Sequence, residues 1–198
     1  SSTPGQELPS AKDIAESGSF AEREYQNKLL GFTISIPDGW TLFSDDLNKK
    51  ALDRGLEKLS ANKSKETKKA LDESVSNTRV LFQTSPFPYG KKGNTGVLTC
   101  GVERLPGSYT KEEYLESGKR LALQKPKTHI VKDLYPVTLG GVDFVALDLE
   151  CETNGVAATQ QYLVTVRNNV VLYFITTLFD GEYKGAIADS LKTFKFEK

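Results

Sequence analysis

The chain has 198 residues, with 26 basic and 26 acidic side chains, one histidine, two cysteines and no methionine. That length suits one domain, which buries roughly 70% of its unfolded surface and so needs neither a metal nor a disulfide to fold. The balanced charge argues against a nucleic-acid or anionic-membrane binder, each of which draws on a basic surplus, and no apolar run approaches the about 18 residues that span a bilayer.

Residues 1–19, SSTPGQELPSAKDIAESGS, are rich in Ser, Gly and Pro and lack apolar periodicity. They are expected to form a flexible leader, the tether of an exported protein downstream of a removed signal peptide or a lipid-bearing cysteine. A chain cut at an arbitrary point would read the same way.

Regular structure is expected from Phe20 onward. Phe32, Ile34 and Ile36 alternate as a strand, Pro37-Asp38-Gly39 has turn chemistry, and Trp40 follows as a core anchor. Residues 45–76 read as a helical insertion, with Leu47, Ala51, Leu52, Leu56 and Leu59 at helical spacing and a polar middle. Strands are expected at 79–84 and 96–105, joined by the loop SPFPYGKKGNT. Thr110 and Glu113 form a capping box that opens a helix ending before Pro126.

The C-terminal third carries the strongest pattern. Gly140-Gly141, Asn154-Gly155 and Asn168-Asn169 recur at 14-residue intervals between β-rich runs, and each pair tolerates positive φ. Two-residue loops of this kind predict a four-stranded antiparallel meander over 129–179. Its registers set Leu147 opposite Tyr162, Asp148 opposite Gln161 and Tyr162 opposite Ile175. Leu172 and Phe174 make the last strand apolar on both faces, which places it centrally. A helix over 181–194 closes the chain. The order of elements predicts an α+β fold, an α/β/α-type sandwich around a mainly antiparallel sheet.

At this point the chain resembles the PsbP-like superfamily. The resemblance rests on Gly31-Phe32 running into Ile36-Pro37-Asp38-Gly39-Trp40, the helix at Tyr114-Leu115, Val137 with Gly140-Gly141 and Phe144, the Gln161-Tyr162 strand, and LYFITT followed by Tyr183-Lys184. It covers about residues 25–198 and implies a single PsbP-like domain over 20–198. The superfamily includes the extrinsic PsbP protein of photosystem II and bacterial exported proteins of unknown role. The resemblance implies a docking or assembly protein without a catalytic centre; with the leader composition, the expectation is an extracytoplasmic, non-enzymatic monomer without a cofactor.

Chemistry-bearing residues are few. The loop at 85–95, with Phe87 and Tyr89 beside Lys91 and Lys92, is the candidate surface for a protein partner. Asp148 and Glu150 share a strand face, and the Gly140-Gly141 register places Asp133 opposite Asp148 and His129 opposite Glu152. Like charges directly across a ladder are unfavourable, so either a bulge interrupts the pairing or a cation sits there. Asp133, Asp148 and Glu150 would then be the ligands of a divalent cation, and a cation- or small-molecule-binding module is the alternative function. Cys100 and Cys151 both fall in phase with core residues. They form a disulfide if their strands are neighbours and two buried thiols if they are not. The lone His129, at an exposed strand start with no nucleophile motif nearby, gives no support for hydrolase chemistry.

Overall fold

The longer strands, edged by one strand of two residues, build one sheet, and helices and a smaller sheet pack on its two faces. The computed structural model describes residues 9–50, 53, 64–66, 68–69, 76–88, 95–153 and 155–197. The large sheet has seven strands in the order β4-β5-β6-β10-β9-β8-β7. These are β4 (Thr41–Leu42), β5 (Thr78–Ser85), β6 (Gly96–Arg104), β7 (His129–Leu139), β8 (Val142–Thr153), β9 (Val156–Arg167) and β10 (Val170–Leu178). All neighbours are antiparallel.

The meander forms as the turn dipeptides require. Gly140 and Gly141 have φ of 56° and 78°, and Asn168 and Asn169 have 51° and 59°, the left-handed values that a two-residue primed turn needs at both positions. Leu147 pairs with Tyr162, Asp148 with Gln161, and Ile175 with Tyr162. β10 lies inside the sheet between β9 and β6, which explains its two apolar faces.

One face of this sheet is covered by helix α2 (Lys111–Ala122), opened by the Thr110–Glu113 capping box. Leu115 packs there against Leu147, Leu149, Val164 and Val171. The Tyr114 hydroxyl donates to the Glu103 carboxylate at 2.5 Å, and burial together with that carboxylate pushes the Tyr114 phenol well above its ordinary pKa.

The opposite face carries a second sheet, of which the alternation at Phe32, Ile34 and Ile36 revealed only one strand. Its order is β1-β2-β3-β11, made of β1 (Gly18–Ala21), β2 (Glu24–Asn27), β3 (Phe32–Ser35) and β11 (Lys195–Phe196). Together with helices α1 (Ala11–Glu16) and α3 (Lys184–Lys192) it closes the main core around Phe32, Phe82, Phe144, Phe174 and Phe194. Trp40 joins this core, its ring edge-on to Tyr183 at 5.9 Å.

Two expectations change here. Residues 11–19 are not leader: α1 is fixed by a capping box between Ser10 and Asp13, and Ile14 is completely buried. Asn27 secures the arrangement from inside, donating to the Ile14 carbonyl at 2.8 Å and accepting from the Ser17 hydroxyl at 3.0 Å. Residues 1–8 lie outside the described residues. The closing helix runs over 184–192 rather than 181–194, because residues 195–196 leave it to pair with β3. Of the expected helical insertion, 45–50 is helical and anchored through Asn48, whose Oδ1 accepts from Gln83 Nε2 at 3.0 Å. Most of 51–75 lies outside the described residues.

Candidate functional site

β8 and β9 are 12 residues each, about 40 Å of extended chain, whereas α3 is nine residues, about 14 Å of helix. The helix therefore covers only part of the strands beneath it, and a groove of about 1070 Å³ opens between α3 and the overhanging meander. Asp148, Glu150, Thr159, Gln161 and Thr176 supply its floor, on the sheet face away from α2. Ile187, Ala188 and Leu191 of α3 form one wall, and Phe179 to Gly181 form the lip.

The floor is organised by a short polar chain. Gln161 Nε2 donates to the Tyr135 hydroxyl at 2.8 Å, and that hydroxyl faces both Asp148 oxygens at 2.9 and 3.0 Å. Burial, reinforced by the bond to Asp148, pushes the Tyr135 phenol up to about 12, so it remains a donor throughout the physiological range. The Lys132 ammonium stands 3.7 Å above the Tyr135 ring centroid. At the outer end Lys127 pairs with Glu152 at 2.5 Å.

The expected carboxylate ladder does not form. Two register shifts in β7, between Ile130 and Lys132 and between Lys132 and Tyr135, bring Lys132 opposite Asp148 and His129 opposite Glu150. Asp133 is turned toward α2, where it accepts from Lys119 Nζ and the Leu134 amide at 2.9 and 2.8 Å. Those bonds hold its carboxyl below the usual range. Asp133 thus lies on the opposite face from Asp148 and Glu150, so the proposed three-carboxylate ligand set is not assembled. Among the described residues no group of three or more His, Cys, Asp or Glu side chains is placed to hold a metal ion.

The cysteines are also separated. Cys100 on β6 and Cys151 on β8 have β10 and β9 between them, and Cys151 lies five residues beyond the position level with Cys100. That is about 22 Å from strand spacing and rise, far beyond the about 7 Å that a disulfide spans. Both are free: Cys100 is buried in the main core, while Cys151 is half-buried beside Thr153.

Of the expected docking loop, Tyr89, Lys91 and Lys92 lie outside the described residues, and Phe87 is half-buried, with its carbonyl accepting from the Ser85 hydroxyl at 2.6 Å. The described ends of the loop nevertheless fix where it leaves the fold. Gly96 pairs with Leu178, Leu178 with Thr159, Thr159 with Glu150 and Glu150 with His129. This single row crosses five strands, about 19 Å, and the Phe179 amide donates to the Thr95 carbonyl at 3.3 Å. The loop's exit and the acidic face therefore sit at one end of the sheet, with the groove lip between them. The sequence already paired Asp148 with Gln161, as the structure does. The α3 wall was out of reach, because nothing local says which strand face a distant helix covers.

No protein-family profile matches the chain, and no curated protein matches it. Solved structures do. Cyanobacterial PsbP (CyanoP) from Synechocystis sp. PCC 6803 superposes with a TM-score of 0.53 over 91% of this chain and 98% of its own, at 10% identity. The chain has the PsbP-like fold. LpqN, described as involved in cell envelope biogenesis of Mycobacterium tuberculosis, shows a TM-score of 0.50 over 84% of this chain and 83% of its own, at 14% identity. At such identities the likeness is one of PsbP-like backbone course, and it assigns no residue a role.

Proposed function

We propose that this PsbP-like protein is a non-enzymatic, exported binding protein that docks a protein partner at the end of the seven-stranded sheet where the 85–95 loop leaves the fold. The observation that carries the reading is the shared row from Gly96 to His129, which joins the loop's exit, the lip at 179–181 and the open groove into one continuous surface. A concave surface bordered by a loop on a rigid sheet is the usual setting for recognition. Support for a non-enzymatic role comes from His129, whose exposed side chain makes no hydrogen bond or ion pair among the described residues, so there it is joined to no Ser, Thr or Cys nucleophile. Export draws support from the composition of the first residues and from the envelope role given for LpqN. Among the described residues no helix is long and apolar enough to cross a membrane. Tethering upstream of Ser1 belongs to the same proposal.

The test is crosslinking and affinity capture of the full-length protein from its own cells, repeated with Phe87→Ala/Tyr89→Ala. A partner captured by the wild type and lost by the double variant supports docking at this end of the sheet. Capture that is indifferent to the substitutions, or no specific partner, overturns it. The cation-binding alternative has lost its ligand set, and a melting temperature that rises with added Ca²⁺ is the result that would restore it.

A further inference from the structure

The two sides of the groove differ in chemistry, and that difference restricts what fits. The α3 side is apolar: Ala188 stands exposed on it, backed by Ile187 and Leu191, which are buried in the main core at 4% and 6% exposure. The floor offers acceptors. Among the described residues lining the groove, four carboxylates (Asp148, Glu150, Glu152 and Asp180) face two ammonium groups, Lys127 and Lys184. Lys127 is already engaged by Glu152. Asp148 receives a hydrogen bond from Tyr135 and has Lys132 opposite it in the ladder, that ammonium standing over the Tyr135 ring rather than pairing with the carboxylate. Glu150 has no partner side chain among the described residues, and four carboxylates thus face three nearby ammonium groups. A surplus of negative charge in a slot walled by low-dielectric protein concentrates cations and repels anions.

Resting on the docking reading above, we infer that the groove takes an extended segment of the partner in which basic and aliphatic residues alternate. Side chains of an extended chain alternate in direction every residue, so such a segment sets Lys or Arg over Glu150 and Asp148 while its aliphatic residues meet the α3 wall at Ala188. The dimensions agree. From Asp148 to Glu152 the floor runs about 14 Å, the length of about four extended residues, and the groove volume stands just above the about 300–1,000 Å³ typical of small-ligand sites. The charge that attracts this segment excludes acidic peptides and phosphate-bearing ligands.

The experiment is an amide-resolved NMR titration of the full chain with a synthetic blocked pentapeptide, Lys-Leu-Lys-Val-Lys, and its acidic counterpart, Glu-Leu-Glu-Val-Glu. The basic peptide is expected to shift the amides of Glu150, Thr159 and Ala188 saturably, more weakly at high salt as screening requires, and the acidic peptide to leave them in place. Glu150→Lys should weaken binding several-fold. Ala188→Trp, at an exposed position, should block the slot without changing its charge. No saturable shift, equal shifts with both peptides, or shifts mapping elsewhere overturn the inference. Cellular capture with Ala188→Trp separates the two levels. A partner still captured by that variant leaves docking intact and removes the groove as its seat; a partner lost by it, with no binding of the basic peptide, keeps the groove and rejects the chemistry assigned to its occupant.

Discussion

The Gly140-Gly141 turn offers a controlled test of the fold, because its two glycines have the same backbone conformation and different surroundings. Both have positive φ, 56° and 78°. A Cβ on Gly141 meets nothing within 4 Å, whereas one on Gly140 would lie 2.1 Å from the Phe194 carbonyl oxygen and 3.1 Å from the Lys195 Cα. The turn tip thus abuts the backbone where α3 gives way to β11. Gly141→Ala should cost only left-handed strain, about 1 kcal/mol. Gly140→Ala adds an overpacking term of about 1–3 kcal/mol, for about 3 kcal/mol in all. The displaced element is well chosen to transmit the damage. Phe194 stacks on Phe32, Phe144, Phe174 and Phe196 with ring centroids 5.6, 5.4, 5.6 and 5.3 Å away. In a chain of this size each kcal/mol moves the melting temperature by about 2–4 °C, so Gly140→Ala should melt about 6–12 °C below the wild type and Gly141→Ala about 2–4 °C below it. Urea unfolding followed by circular dichroism gives the free energies directly. Equal losses for the two variants would refute the close approach of turn and C-terminal strand.

Three further outcomes follow from the structure. Ile14→Ala should destabilise the chain by about 2–5 kcal/mol in urea, the range for a fully buried aliphatic truncation; a loss under about 0.5 kcal/mol, as at an exposed site, would return residues 11–19 to the status of a tether. Intact mass under non-reducing conditions should retain both thiol protons, and iodoacetamide should label Cys151 before unfolding and Cys100 only after it, since burial raises the Cys100 thiol well above its ordinary value; a mass two protons lower contradicts the strand order. Asp13 and Asp133 titrate below the usual 3.8 when folded, mainly through hydrogen bonds from Ser10 and Lys119 respectively. A depressed carboxyl contributes its stability above the unfolded value and loses it as pH falls through the folded value. The urea midpoint should therefore be insensitive to these groups near neutrality and fall below about pH 4, with a smaller fall in Asp13→Asn/Asp133→Asn; an identical acid limb in that variant rejects the assignment.

How much of this was legible depended on how local the determining interaction is. The meander registers follow from turn chemistry, because a two-residue loop with positive φ fixes every pairing beyond it. Of the second sheet only β3 was legible, through the alternation of Phe32, Ile34 and Ile36; β1, β2 and β11 are four, four and two residues long, and β11 is separated from its partner β3 by most of the chain. A signal for α1 was nevertheless present. Ser10 and Asp13 have the same cap-to-third-residue spacing as Thr110 and Glu113, and Ala11 and Ile14 share a face, but a six-residue helix offers no second turn to confirm the period. Of the site, the acidic face could be read from strand parity alone. The groove could not, since it arises from a mismatch in length between two layers joined by distant chain segments.

The departure from the expected β7–β8 register links these observations. From Leu139–Val142 to Tyr135–Ala146 the pairing follows the turn without interruption. Continued to the strand start, it would set Asp133 against Asp148, an unfavourable pairing of like charges. The two register shifts insert extra residues into β7 at that point. They rotate Asp133 to Lys119 on the α2 face and leave Lys132 stacked on Tyr135 beside Asp148. The repulsion is thus relieved by backbone geometry, and Asp148 and Glu150 stay side by side on the groove floor. A bulged edge is also a poor template for strand addition, and β7 is the exposed margin of the large sheet. On the docking proposal, a partner at this end would be directed away from the edge and into the groove, where side chains rather than unpaired backbone would choose it.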